Sequence, residues 1–143
     1  MGGNLMKIIS INKIMLFLVL ALLLNTPVIK ADELIPLKHG IYVREPDSCN
    51  QLTSANMTTF DGHGFGGGHT TAKIIDVRKN GNIYFITEKV QGTDPGEKPY
   101  TRKMKVTVIN KTSFSTSDVY NEGQPPYLEI EKYRWCKPLP PGY

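Results

Sequence analysis

Short runs of strand-forming residues, separated by turn residues, occupy most of this chain. The clearest run spans residues 100–110, in which Met104, Val106 and Val108 alternate with polar residues. This period of two is typical of a strand with one buried face. No window after residue 31 has an apolar repeat of 3.6 residues, the period of an amphipathic helix. The sequence therefore predicts an all-β protein.

The spacing of these runs predicts about seven strands. They are expected at residues 40–44, 57–60, 70–78, 82–90, 100–110, 113–119 and 127–135. Asn80 and Gly81 lie between two of the runs, and an Asn-Gly pair in that position is a strong hairpin signal. Because short turns let neighbouring strands pair, we expect a small antiparallel barrel or sandwich, with a barrel-like meander favoured.

The first 31 residues have the features of a secretory signal peptide. Lys7 and Lys13 precede an apolar run at residues 14–24, and Ala31 is a small residue suited to cleavage. The apolar run is shorter than the roughly 20 residues of a membrane-spanning helix, so we expect no stable transmembrane anchor. We therefore predict a periplasmic or secreted protein. Its expected parts are a signal peptide at 1–31, a single β domain at 32–137 and a proline-rich tail at 138–143.

Charge and cysteine content narrow the classes of protein to which this chain can belong. The chain has 17 Lys and Arg against 13 Asp and Glu, but three of the lysines precede residue 32. The remaining domain is close to neutral, so we expect no nucleic-acid partner. Cys49 and Cys136 both belong to the exported part, where a disulfide is favoured over two free thiols or half of a metal site. That bridge would bring the first and last strands together.

Residues 60–69 form an unusual glycine-rich segment. One interpretation makes Asp61, His63 and His69 a metal-binding or catalytic cluster, since imidazole and carboxylate groups bind zinc or copper. The other makes the segment a turn, in which Asp-Gly reverses the chain and the further glycines permit bulges. We favour the turn, because the spacing of the histidines matches no specific metal motif.

Two further sets of side chains have alternative interpretations. Phe65, Tyr133 and Trp135 are aromatic residues that suit a binding surface, although core packing explains them equally well. Glu129 and Glu131 share a face of the last expected strand, as a glycosidase pair would. A simpler interpretation places both glutamates on the solvent face.

That simpler interpretation of the last expected strand turns Leu128 and Ile130 inward. We expect no catalytic residue, since the chain also lacks a Gly-x-Ser-x-Gly nucleophile motif.

The chain resembles small exported all-β proteins of proteobacteria. The resemblance rests on a Gly-x-Tyr-Val opening, a following cysteine, a Phe-Asp-Gly-x-Gly segment and an aromatic-Cys close: Gly40, Tyr42, Val43, Cys49, Phe60, Asp61, Gly62, Gly64, Trp135 and Cys136. The resemblance implies an exported β domain, but it does not imply any particular activity.

These observations predict a non-catalytic binding protein of the cell envelope or extracellular space, without a cofactor. Its expected partner is a protein, a glycan or a small ligand. The alternative is a small metal-binding protein or metal-dependent enzyme that uses His63 and His69.

Overall fold

The computed structural model describes residues 34–142, which contain strands and loops only. The eight strands are β1 (Gly40–Arg44), β2 (Met57–Phe60), β3 (Phe65–Gly66), β4 (Thr70–Asn80), β5 (Ile83–Gly92), β6 (Tyr100–Asn110), β7 (Ser113–Asn121) and β8 (Glu131–Lys137). The all-β prediction is confirmed. The predicted signal peptide lies outside the described residues, and residues 34–142 include no helix that could span a membrane.

One antiparallel sheet contains all eight strands, in the order β3-β2-β1-β8-β7-β6-β5-β4. The two end strands of this order, β3 and β4, approach each other, which makes the sheet a nearly closed barrel. The Gly67 N–H donates to the Thr70 carbonyl at 3.0 Å, and the Ile74 N–H donates to the His63 carbonyl at 2.6 Å. Both bonds come from the glycine-rich segment, so that segment closes the barrel.

The close approach requires glycine at position 64. A Cβ atom there would lie 2.2 Å from the Ala72 carbonyl oxygen, well inside contact distance. Gly81 is needed for a different reason, since its φ of 61° suits the first central residue of a type II′ hairpin turn. The predicted hairpin is therefore confirmed, with Gly81 and Asn82 as its two loop residues.

A cluster of aromatic rings fills the barrel around Phe114. The rings of Tyr42, Phe65 and Tyr133 lie 5.0, 5.2 and 5.1 Å from the Phe114 ring, between centroids. The irregular segment before β1 adds two further buried side chains, Ile35 and Leu37. Burial of these large rings is the main contribution to the stability of so small a domain.

The disulfide between Cys49 and Cys136 is formed, with 5.5 Å between the Cα atoms. It joins the loop after β1 to the end of β8, and β1 and β8 are neighbours in the sheet, as predicted. Because the bridge spans 87 residues, the chain-entropy model gives it a stabilising contribution of about 4 to 5 kcal/mol.

The last strand differs from its prediction. It begins at Glu131 rather than at residue 127, and Leu128 and Ile130 are 59% and 70% exposed instead of facing inward. The ladder between β7 and β8 is interrupted where Asp118 adopts a φ of 52°. A left-handed residue bends a strand away from its partner, which leaves residues 128–130 outside the sheet.

Candidate ligand-binding pocket

A buried ion pair connects the two central hairpin strands to the glycine-rich segment. Glu88 on β5 and Arg102 on β6 are direct cross-strand partners, and both point into the barrel. The Glu88 side chain is fully buried. Its Oε2 accepts hydrogen bonds from Arg102 Nε at 3.0 Å and from Nη2 at 2.6 Å.

The same pair holds β3 by its backbone. Glu88 Oε1 accepts the Phe65 N–H at 2.7 Å, and Arg102 Nη2 donates to the Phe65 carbonyl. Burial raises the pKa of the Glu88 carboxyl, while Arg102 and the Phe65 N–H favour its ionised form and offset part of that rise. Both carboxylate oxygens of Glu88 therefore accept hydrogen bonds, and Arg102 also lines the pocket next to this junction.

This pocket has a volume of about 200 Å³ and lies between β2, β3, β6, β7 and β8. Its walls are formed by aromatic, aliphatic and polar side chains: Thr58, Phe65, Arg102, Met104, Phe114, Thr116, Val119, Asn121, Tyr127, Glu131 and Tyr133. Tyr127 is 42% exposed and marks the mouth. The pocket thus combines flat apolar surfaces with a small number of polar groups, which is the usual composition of a ligand site.

Two of its polar groups hold each other in place. The Tyr133 hydroxyl donates to Glu131 Oε2 at 2.7 Å, and Glu131 Oε1 accepts from Arg44 Nη1 at 2.6 Å. Burial raises the pKa of Tyr133 well above its usual value, and the hydrogen bond to Glu131 raises it further. Tyr133 therefore keeps its proton even in alkaline solution that would ionise an ordinary tyrosine.

Asn121, at the end of β7, is the unsatisfied group of the pocket. Its Oδ1 atom is buried and has no hydrogen-bond partner among residues 34–142. An acceptor in this condition costs about 1–3 kcal/mol of desolvation, and a ligand donor recovers that cost only when the Asn121 side chain turns its oxygen toward the pocket.

The three aromatic residues predicted for a binding surface separate into two groups. Phe65 and Tyr133 both line the pocket. Trp135 does not: Lys38 Nζ lies 3.6 Å from its ring centroid, and its Nε1 donates to the His39 carbonyl at 3.1 Å. Phe65 is also 2% exposed and belongs to the core, rather than to an exposed loop tip.

Asp61, His63 and His69, the residues of the metal alternative, lie along the glycine-rich segment. Asp61 Oδ1 accepts the N–H groups of His63 and Gly64 at 2.7 and 2.9 Å, which is a turn-forming arrangement. Both histidine side chains are exposed. In residues 34–142 no group of three or more His, Cys, Asp or Glu side chains is placed to hold a metal ion.

Arg102 and Asn121 are pocket residues that the sequence analysis did not assign to a site. The sequence predicts Glu131 on the solvent face, but its side chain is 19% exposed and lines the pocket. A signal for Arg102 exists, because it is in phase with the buried Met104 and Val106 on β6. Asn121 lies at a strand end and gives no such signal.

Comparison of the chain with protein-family models, with curated proteins and with solved structures finds no match.

Proposed function

We propose that this chain is an exported, non-catalytic binding protein whose pocket holds a small molecule with a hydrogen-bond donor and a flat apolar face. The observation that carries the proposal is the buried, unpartnered Oδ1 of Asn121 in a pocket walled by Phe65 and Tyr133. A ligand that stacks on the rings and induces the Asn121 side chain to turn its oxygen toward the ligand's donor gains from both features.

The size of the pocket limits the ligand. A volume of about 200 Å³ is below the range of roughly 300–1,000 Å³ that is common for drug-sized ligands. At about 30 Å³ per water molecule, it equals the volume of roughly six or seven waters. The ligand is therefore a compact molecule or a single group of a larger partner.

The ionisable residues of the pocket support binding rather than catalysis. Arg102 is paired with Glu88, and Glu131 is paired with Arg44. Tyr133 holds its proton, since burial raises its pKa. Groups fixed in this way orient a ligand and are poorly suited to exchange protons with it.

Export of the chain is part of the same proposal. The signal-peptide features of residues 1–31 and the Cys49–Cys136 disulfide both suit the periplasm or the extracellular space. The alternative function, metal binding through Asp61, His63 and His69, stays a prediction that the metal content of the purified protein would test.

Benzamide is a suitable probe for the pocket, because it combines an N–H donor with a flat ring. We expect benzamide to shift the NMR signals of the Asn121 side chain and of Tyr133 in the exported protein. N,N-dimethylbenzamide, which lacks the donor, should shift them far less.

The matched variants are Asn121→Ala and Asn50→Ala, the second in an exposed loop. Benzamide shifts should disappear from the Tyr133 signals in the first variant and persist in the second. Equal responses of the two variants, or equal shifts from the two amides, would contradict the proposal.

A further inference from the structure

A second concave surface lies on the outer face of the sheet, across β4, β5, β6 and β7. It is an open groove of about 750 Å³. Of the residues that line it, only Met104 also lines the inner pocket. With neighbouring strands about 4.8 Å apart, the four strands give it a width of about 14 Å. The groove is therefore wide enough to hold an oligomeric ligand.

Phe85 lies at the centre of this outer groove. It is 48% exposed, and its cross-strand neighbours are Arg78 on β4 and Lys105 on β6. Exposed aromatic rings between cations are unusual on a free strand face, where polar side chains are expected. Tyr120 on β7, 46% exposed, provides a second ring in the next cross-strand row, opposite Lys103.

A bulge in β7 shapes one side of the outer groove. Lys105 pairs with Ser117 and Lys103 pairs with Tyr120, so β7 carries one extra residue between these pairs. Asp118 lies within the bulge at a φ of 52°, a left-handed conformation that is uncommon for a residue other than glycine. The bulge places the Asp118 carboxylate 2.8 Å from Lys105 Nζ. Bulges often re-aim side chains in this way beside functional sites.

The charges of the outer groove are mixed, with an excess of cations. Arg78 is paired with Asp76 at 3.6 Å, and Lys105 is paired with Asp118. Lys103 also lines the groove and forms no ion pair within residues 34–142, whereas Lys79 pairs with the inward-facing Tyr84 and directs its ammonium group to that ring, 5.6 Å from the ring centroid. The groove thus offers two exposed rings, two carboxylates that accept hydrogen bonds, and one cation, Lys103, without a carboxylate partner in the described residues.

We propose that the outer groove binds an acidic oligosaccharide, that is, a chain of sugars that carry carboxylates. The apolar faces of sugar rings fit against Phe85 and Tyr120, and a sugar carboxylate pairs with Lys103. Sugar hydroxyl groups donate hydrogen bonds to Asp118 and Asp76.

An acidic peptide fits the outer groove less well. Asp76 and Asp118, which line the same groove, repel the carboxylates of either ligand, but only a sugar carries hydroxyl donors on nearly every ring to offset that repulsion. The backbone groups of β5 and β6 are already paired with neighbouring strands, so they offer no ladder to a peptide. A ligand that is rich in hydroxyl groups donates hydrogen bonds to the carboxylates of Asp76 and Asp118.

Isothermal titration with a tetramer of galacturonic acid tests this proposal on the exported protein. We expect saturable binding that weakens at least tenfold when the carboxylates of the tetramer are methyl-esterified. Phe85→Ala and Lys103→Ala should each raise the Kd at least tenfold with an unchanged circular dichroism spectrum. Lys73→Ala, which removes an exposed lysine of β4 outside the groove, should leave the Kd within twofold.

Three results would overturn the proposal. The first is the absence of binding to the tetramer. The second is equal binding of hexaglutamate, which would identify a site for acidic peptides. The third is an equal effect of the Lys73 and Lys103 substitutions, which would identify attraction by overall charge.

Discussion

Glu88 and Arg102 occupy positions that their strands otherwise give to apolar side chains. Glu88 alternates in phase with Tyr84, Ile86 and Val90, all of which are buried. A charge in the apolar phase of a strand is a sequence signal for a buried, paired group. The sequence analysis did not use this signal. It could not have found the third member of the junction, the Phe65 backbone, because a backbone partner depends on how the strands curve.

Removing the charge of Glu88 should destabilise the fold strongly. Glu88→Gln leaves the Arg102 guanidinium without its carboxylate, 19% exposed inside the barrel. Loss of one partner of a buried pair costs about 3–5 kcal/mol, which urea denaturation would measure as a fall in the free energy of unfolding.

The double variant Glu88→Leu with Arg102→Met should recover only part of that loss, since it leaves no buried charge unpaired but removes the partners of the Phe65 N–H and carbonyl. Asp76→Asn breaks an ion pair whose side chains are 83% and 55% exposed, so its cost should stay below about 1 kcal/mol. Equal losses for Glu88→Gln and Asp76→Asn would show that the inner pair contributes no more than a surface pair.

At the scale of elements, six of the strands appear within two residues of their predicted ends, because alternation and turn residues are local properties. Two features of the strands could not be predicted from local sequence patterns. Phe65–Gly66 is too short to produce a pattern, and it pairs only because β2 lies beside it. The late start of β8 follows from the bulge at Asp118 on another strand.

The contact between the glycine-rich segment and β4 depends on a missing side chain. Gly64→Ala would place a Cβ atom 2.2 Å from the Ala72 carbonyl oxygen, so backbone must move and the barrel closure loosens. Overpacking of this kind costs about 1–3 kcal/mol. Thermal unfolding of the variant, followed by circular dichroism, would measure it as a lowered Tm.

Gly67→Ala is the matched control for Gly64→Ala in the same segment. Its Cβ would meet only the Thr70 hydroxyl, at 3.3 Å, and Gly67 has an ordinary backbone conformation. We expect a markedly smaller change in Tm than for Gly64→Ala. The role of Gly64 in closing the barrel would be refuted by equal changes.

At the scale of the whole molecule, the two cysteines were sufficient to predict which strands meet. Cys49 and Cys136 lie near opposite ends of the β domain, and their bridge accompanies the pairing of β1 with β8. The pocket and the outer groove were not predictable in this way, since each combines side chains from at least four strands. Their shapes depend on the twist and curvature of the closed sheet.

A single measurement of intact mass tests both export and the disulfide. We expect the exported protein to begin at Asp32 and to be lighter by two hydrogen atoms than its reduced form. Reduction should then expose two thiols to alkylation, at Cys49 and Cys136. A mass that includes residues 1–31, or thiols that react without a reductant, would contradict the prediction.

The pairing of β1 with β8 also determines when the chain can fold. β1 lies between β2 and β8, and β8 is the last strand to leave the ribosome. Until residues 131–137 have been synthesised, β1 lacks one neighbour and the aromatic cluster lacks Tyr133. Two strands that lie as far apart in sequence as β1 and β8 pair slowly compared with the strands of a local hairpin. Closure of the sheet therefore waits until residues 131–137 have been synthesised, which would suit a chain that crosses a translocation channel before its fold is complete.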